Sequence, residues 1–346
     1  MDSDTQQQQD SSDYNYMSVE RQYEDANRFS LLFSSALFGL GTILNLWFVI
    51  AILTSPFHRV KLRNQLICNL SIFYLAVALV KSPIMLFYSQ LLLQDFEWAT
   101  LCDSLTLSVQ LELVSNFIQD WLIFFIVTDY LTTVARFDPS KWLHPRLVNT
   151  GKFIIHILPW IASPALYPLL VPLLSQLSWC ITPLPNLVHT DVLFTMMAPV
   201  VASIVITFVA YALTCWRGSR HADSQELEHR LITQDGQIDN PLVYVFVMVV
   251  SVACEAAFLI SVFMIATKTY VKLIFLTAAC EVSDARSVLM MLPWLLFPDI
   301  RDRLKSWRPW PCIPEPVPDS ENRTELPMWS EEWKRREQGE QTYIDA

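Results

Sequence analysis

Glycine and charged residues are scarce in this chain of 346 residues. Only six residues are glycine, and none of them forms a glycine-rich loop that could hold the phosphates of a nucleotide. Charged residues make up 17% of the chain and hydrophobic ones 53%, whereas about a quarter of an average soluble protein is charged. These shortages exclude a disordered chain and argue against a nucleotide-dependent enzyme, and they favour a protein with long segments in lipid.

The net charge of −10 is confined to the two ends of the chain. Residues 1–29 hold seven acidic and two basic residues, and residues 313–346 hold nine acidic and four basic ones. Both ends are rich in polar residues, which predicts disordered, solubilising tails. We therefore divide the chain into an N-terminal tail, residues 1–29, a membrane domain, residues 30–308, and a C-terminal tail, residues 309–346. Charges of the two signs balance between the tails, so no nucleic-acid partner is expected.

Seven segments of the membrane domain are long and apolar enough to cross a bilayer, which takes about 20 residues in a helix. They are residues 30–53, 66–88, 105–134, 153–171, 192–216, 242–266 and 271–297. Helices are expected because backbone polar groups in lipid must form hydrogen bonds within their own segment. The sequence therefore predicts an all-α membrane protein, a seven-helix bundle followed by a short amphipathic eighth helix over residues 299–307.

The distribution of basic residues predicts the orientation of the bundle. With the N-terminus outside, the inner segments hold fourteen Lys and Arg residues and the outer segments hold four. Because basic loops stay in the cytoplasm, we expect an extracellular N-terminus and a cytosolic C-terminal tail. The loops are too short for a soluble catalytic domain, and the six histidines lack the spacing of metal ligands. Neither an enzyme nor a metal or other cofactor is expected.

Three cysteines lie outside the predicted spans. Cys102, at the outer start of the third span, and Cys180, in the loop after the fourth, both face the oxidising side in this orientation. A disulfide between them would tie that loop to the third helix. Cys312 follows the basic amphipathic segment and is a candidate for palmitoylation beside the membrane.

Several residues mark the spans in a particular order. They are Asn45 in the first span, Asn69-Leu70-Ser71 and Pro83 in the second, Trp98 before Cys102, Trp160 and Pro168 in the fourth, Pro199 in the fifth and Pro293 in the seventh. With seven spans, an outside N-terminus and the cysteine pair, these marks resemble the rhodopsin-like family of G-protein-coupled receptors. The resemblance covers residues 30–308. It implies a plasma-membrane receptor that binds an extracellular ligand among its helices and signals to a heterotrimeric G protein.

The third span departs from the pattern of that family. Its inner end reads Thr128-Asp129-Tyr130 where the family has Asp-Arg-Tyr, and the nearest arginine is Arg136. By position, Asp129, Tyr130 and Arg136 belong to the region that couples to the G protein. In the second span, Tyr74 stands where the family has a sodium-binding aspartate.

Ionisable residues inside the predicted spans are the candidate ligand-binding residues. Each costs at least about 2.5 to 3.5 kcal/mol at bilayer depth unless it is paired or faces a polar cavity. The candidates are Lys81, Glu112, Glu281, Asp284 and Arg286. Glu112, Asn116 and Asp120 recur every four residues and so share one helix face. These charges either contact a small polar molecule or peptide, or Arg286 or Lys81 pairs with Glu112 or Glu281 to hold helices together. Arg286 cannot form the Schiff base of a retinal-binding lysine, because arginine stays protonated.

Two other functions are open at this stage. In the first, the chain is a small ion or solute transporter whose path is lined by Glu112, Asp120, Glu255 and Asp284. In the second, the chain is a seven-helix decoy or scaffold that couples to no G protein, because the third span is altered and the sixth reads Cys254-Glu255-Ala256-Ala257 where the family has Cys-Trp-x-Pro. All three hypotheses place the chain in the lipid bilayer.

Overall fold

A computed structural model describes most of the chain. It covers residues 3–55, 58, 61–94, 98–135, 137, 143–174, 190–218, 241–266 and 273–306. These residues belong to one compact unit, Met1–Ser306. The predicted C-terminal tail with Cys312 lies outside the described residues, as do Arg136, Cys180 and the side chain of Cys102. The disulfide and the palmitoylation site therefore stay predictions.

Every regular element within the described ranges is a helix. In chain order they are α1 (Ser3–Leu53), α2 (Leu62–Ala76), a π-helical turn (Val77–Lys81), α3 (Ser82–Gln94), α4 (Trp98–Val134), α5 (Pro145–Leu174), α6 (Thr190–Gly218), α7 (Leu242–Ala266), α8 (Leu273–Asp284), α9 (Arg286–Leu289), α10 (Met291–Trp294) and α11 (Pro298–Ser306).

Five segments of these helices are long and apolar enough to cross a membrane. They are Glu24–Leu53, Leu62–Leu91, Leu111–Val134, Met197–Trp216 and Leu242–Ser261. They indicate a multi-pass membrane protein. By their length and composition, they confirm the first, second, third, fifth and sixth predicted spans. The fourth and seventh spans are not among the five. In α5 the side chains of residues 164–174 are not described, and α8 has only twelve residues.

The predicted seventh span, residues 271–297, is not one uninterrupted helix. It is divided at Ala285 and Met290 into α8, α9 and α10. Pro293 contributes to the irregularity because it has no N–H to donate to the residue four positions earlier. Backbone hydrogen bonds nevertheless bridge both divisions: Ala285 N–H donates to the Glu281 carbonyl at 3.0 Å, and Met290 N–H donates to the Arg286 carbonyl at 3.0 Å. The three short helices therefore follow one another as an irregular rod.

The N-terminal residues differ from the prediction. Residues 3–29, for which the sequence predicts a disordered tail, are helical and continue into the first span as part of α1. Residues 1–38 contain neither proline nor glycine, the two residue types that most disfavour a helix. The composition of this segment determines its solubility, but it contains no signal that would end the helix before the membrane.

Packing places α4 at the centre of the bundle, where it contacts α2, α5, α6 and α8. Its predicted polar face points inward, since Glu112, Asn116 and Asp120 are all buried. Helix α1 packs against α2, α3 and α8. At Gly41 of α1, an added Cβ atom would lie 3.4 Å from the Cβ of Ala78 in the π-helical turn. The interior between α1, α4 and α8 therefore contains the candidate site.

Candidate functional site

A buried lysine joins three helical segments at the first group of charges. The Lys81 ammonium donates a short hydrogen bond to Oε2 of Glu112 on α4 and a second one, of 2.7 Å, to Oδ1 of Asp284 on α8. The three side chains are only 5%, 1% and 12% exposed. We call these residues, together with Glu281, the Lys81 cluster.

The π-helical turn places Lys81 in the interior. A π turn inserts an additional residue into an α-helix and so rotates the side chains that follow, and such turns occur often at functional sites. Leu79 and Val80 are exposed at 49% and 58%, and Lys81 directly after them is buried. The sequence gives no signal for this turn, although it singles out Lys81 as an intramembrane charge.

Glu281 completes the Lys81 cluster and connects it to α1. Its carboxylate accepts hydrogen bonds from the hydroxyls of Ser30, at 2.6 Å, and Ser34, at 2.9 Å. It also lies close enough to Lys81 and Glu112 to interact with both electrostatically. The cluster therefore contains three carboxyl groups and one ammonium group, which is an excess of acid.

A second group of charges surrounds Arg286 at the start of α9. Its guanidinium donates from NH1 to Oδ1 of Asp120 at 2.9 Å and from NH2 to Oε2 of Glu255 at 2.7 Å. Arg286 is fully buried, and the two carboxylates are 2% and 3% exposed. We call these three residues the Arg286 cluster. It connects α4, α7 and α9.

The five candidate residues are thus divided between the two clusters. Four of them belong to the Lys81 cluster, and Arg286 pairs instead with two carboxylates that the sequence places in the transporter hypothesis. Tyr74 was missed as a site residue: its hydroxyl is buried, has no hydrogen-bond partner within the described chain, and interacts electrostatically with the Arg286 cluster. The clusters are closed by their own ion pairs, so a ligand could bind there only by replacing a partner.

The predicted coupling region contains an aromatic contact between helices. The ring of Tyr130 on α4 stacks on that of Tyr244 on α7, with centroids 3.9 Å apart and planes at 10°. The Tyr130 hydroxyl lies 3.1 Å from the hydroxyl of Thr214 on α6. The backbone carbonyl of Asp129, one residue earlier, accepts a hydrogen bond from the Thr133 hydroxyl at 2.9 Å. The ends of α4, α6 and α7 are therefore held together at Tyr130.

An ion-pair site that sequence reasoning missed fixes α11 to the start of α2. Oδ2 of Asp299 accepts hydrogen bonds from Lys61 at 3.1 Å and from Arg63 at 2.6 Å. Burial alone would raise the pKa of the Asp299 carboxyl, but the charges of Arg63 and Lys61 outweigh burial and lower it below its ordinary value. The Arg63 guanidinium also lies 4.2 Å from the centroid of the Phe297 ring.

A polar contact joins α2 to α5 away from both clusters. Asn69 donates from Nδ2 to the carbonyl of His156 at 3.0 Å and accepts a hydrogen bond from Nε1 of Trp160 at 3.0 Å. A mainly apolar groove of about 510 Å³ lies beside this contact, between α1, α2 and α5. Two residues that carry the family resemblance therefore have a structural role in packing.

Neither a metal site nor a similarity to known proteins adds to the geometry of the described residues. Within the described part of the chain, no group of three or more His, Cys, Asp or Glu side chains is arranged to hold a metal ion. A search of the sequence against protein-family models and against curated proteins found no match.

Proposed function

We propose that this chain is a seven-helix receptor of the plasma membrane that carries the signal of an extracellular ligand to a heterotrimeric G protein. In this proposal α5 and the rod α8–α10 are the two further spans. The 22 residues from Leu273 to Trp294 would extend about 33 Å as a helix, enough for a hydrocarbon core of about 30 Å. The outside N-terminus and the disulfide between Cys102 and Cys180 belong to the same proposal.

The Lys81 cluster is the observation that supports a receptor best. One buried ammonium group binds carboxylates from two other helices, α4 and α8. An anionic ligand group would compete for Lys81, and a cationic one would compete for Glu112 or Asp284. Either event removes a link between helices and so favours a different arrangement of the bundle. Glu281 and Arg286 stay predicted ligand contacts.

The ligand must supply a substantial free energy to do this. Breaking a buried ion pair by removing one partner costs about 3 to 5 kcal/mol, because the other charge is left uncompensated. A ligand that provides a replacement charge avoids most of that cost. This requirement favours a small polar molecule or a peptide end that carries a charge over a purely apolar ligand.

Guanine-nucleotide exchange in the absence of added ligand tests the proposal. The full chain in phospholipid nanodiscs is mixed with a panel of heterotrimeric G proteins, and exchange is compared for the wild type, Lys81→Met and Glu112→Gln. We expect both variants to change basal exchange, because each releases part of the link between α4 and its neighbours. The matched control is Glu24→Gln, which removes an exposed carboxylate paired with Arg28 on the same chain.

The outcome of this assay separates the hypotheses. If neither the wild type nor any variant promotes exchange on any G protein, the receptor proposal is wrong. If exchange occurs but Lys81→Met and Glu112→Gln behave like Glu24→Gln, the Lys81 cluster has no part in switching.

A proton or cation transporter is the second candidate, and a specific observation favours it. The two clusters together contain five carboxyl groups and two basic groups. Such an excess of acid in a bilayer interior is typical of proton and cation pathways. Proton or sodium flux into liposomes that contain the purified chain, lost in Glu112→Gln and retained in Glu24→Gln, would support it. If neither nucleotide exchange nor ion flux is detected, the remaining hypothesis is the decoy or scaffold.

A further inference from the structure

The Arg286 cluster contains more acid than base in a fully enclosed space. Asp120 and Glu255 both accept hydrogen bonds from Arg286, and none of the three side chains is more than 3% exposed. Arginine remains protonated in proteins. With both carboxylates ionised, the cluster would therefore have a net charge of −1 without contact with water.

An uncompensated charge of this kind is unfavourable inside the membrane. At bilayer depth it costs at least about 2.5 to 3.5 kcal/mol, and buried groups usually avoid such a cost by taking up or releasing a proton. One proton makes the cluster neutral, because the single positive charge of Arg286 then faces one carboxylate and one carboxylic acid.

The positions of the two acids favour the same conclusion. Both accept hydrogen bonds from the terminal nitrogens of one guanidinium, Asp120 from NH1 and Glu255 from NH2, and the two carboxyl groups interact with each other electrostatically. Two ionised carboxylates on one guanidinium repel each other, and a proton on either of them removes that repulsion. A proton shared by the two acids would lie between helices α4 and α7.

Among the described residues, the groups that interact with the two acids provide no second positive charge. Arg286 comes from α9, Cys254 and Glu255 from α7, Asp120 from α4 and Tyr74 from α2, and these residues interact electrostatically with one another. The Tyr74 hydroxyl is buried and has no hydrogen-bond partner among the described residues. It is a neutral group next to the acids that can donate or accept a hydrogen bond.

We propose that Asp120 and Glu255 share one proton beside Arg286, so that the Arg286 cluster is a proton-binding site between α4, α7 and α9. The O–H of one carboxyl group donates to the carboxylate of the other. On release, that O–H bond breaks, the proton passes to water, and two like charges remain. Proton binding therefore favours the arrangement in which α4 and α7 are close, and separation of these helices favours release. A regulatory role for this proton rests on the proposed receptor function, but the site itself does not.

Infrared spectroscopy of the full chain in phospholipid nanodiscs tests the proposal at neutral pH. A protonated carboxyl group gives a C=O stretching band that shifts when H₂O is replaced by D₂O. We expect this band in the wild type and the same loss of intensity in Asp120→Asn and in Glu255→Gln. In either variant the remaining carboxylate forms a neutral one-to-one pair with Arg286 and releases its proton. Glu24→Gln, at an exposed position, is the control that leaves the band unchanged.

Each other result contradicts the proposal. If only one of the two substitutions lowers the band, that residue keeps its proton even when it is the sole acid beside Arg286, and the proton is not shared. If neither removes it, the cluster holds no proton. If the band is absent from the wild type, the proposal is wrong whether or not the variants fold. Replacing choline chloride with sodium chloride distinguishes a bound proton from a bound metal cation. A band that disappears in sodium chloride would mean that sodium, and not a proton, supplies the positive charge. Failure of G-protein exchange would affect none of these results.

Discussion

Removing both acids of the Arg286 cluster should destabilise the protein much more than removing either one. In Asp120→Asn the Arg286 guanidinium keeps its 2.7 Å hydrogen bond to Glu255, and in Glu255→Gln it keeps its 2.9 Å hydrogen bond to Asp120. Each single variant still contains one complete ion pair. The double variant leaves a fully buried guanidinium with no negative charge beside it.

The expected magnitudes follow from this difference. A single substitution exchanges a charge-assisted hydrogen bond for a neutral one, which costs about 1 kcal/mol of the free energy of unfolding. Leaving a buried charge without its partner costs about 3 to 5 kcal/mol. The double variant should therefore lose at least about 1 kcal/mol more than the two single variants together, a coupling typical of residues in one network.

Equilibrium unfolding of the four proteins in mixed micelles, by titration with a denaturing detergent, measures these free energies. Glu24→Gln is the control, and we expect it to cost less than about 0.5 kcal/mol because its ion pair with Arg28 is exposed. A double variant that loses no more than the two single variants together would refute the assignment of Asp120 and Glu255 as alternative partners of one arginine.

Three further predictions concern contacts outside the clusters. The pKa of Asp299 is lowered in the folded protein. Its ionised carboxylate therefore contributes fully to the free energy of unfolding above the unfolded pKa of about 3.9, and this contribution is lost as pH falls through the lower folded pKa. Hydrogen exchange in residues 298–306 should therefore increase in that acid range, and Asp299→Asn should show the increase already at neutral pH. Gly41→Leu should destabilise the bundle by about 1 to 3 kcal/mol through overpacking, whereas Gly39→Leu, where nothing lies within 4 Å of the added Cβ, should have little effect in the same unfolding assay. Asn69→Ala should lower the free energy of unfolding by about 1 to 2 kcal/mol, because it removes two hydrogen bonds between helices. Trp160→Phe should lower it less, because it removes only one of them. Equal losses in the two variants would contradict this assignment.

Most of what the sequence predicts correctly concerns periodicity and hydrophobicity. The five confirmed spans are long apolar segments, and the four-residue spacing of Glu112, Asn116 and Asp120 correctly predicts a buried face. Both signals depend on local sequence alone. The helical structure of residues 3–29 differs from the prediction, because the polar composition of this segment indicates disorder although it contains no residue that prevents a helix.

The partners of the buried charges could be predicted only in part, because they depend on contacts between distant residues: the pair of Lys81 with Glu112 was among the expected ones, and the pairs of Arg286 were not. The sequence identifies Lys81 and Arg286 as charges that need partners, but several acids lie at similar depth. The choice among them is made by the π turn, which orients Lys81, and by the packing of α7 against the irregular rod. Asp299 was missed because it lies outside the spans, where an acid next to basic residues is ordinary.

Both clusters connect α4 with the rod α8–α10, and this shared connection couples them. Asp284 of the Lys81 cluster and Arg286 of the other stand on either side of Ala285, the first division of the rod. On α4, Glu112 and Asp120 are eight residues apart, or about 12 Å along one face. We therefore expect a shift of the rod that separates Asp284 from Lys81 to move Arg286 relative to Asp120 and Glu255 as well. Because both clusters join α4 to the rod, the receptor that we propose would pass the action of a ligand at Lys81 to the hydrogen bonds of Arg286.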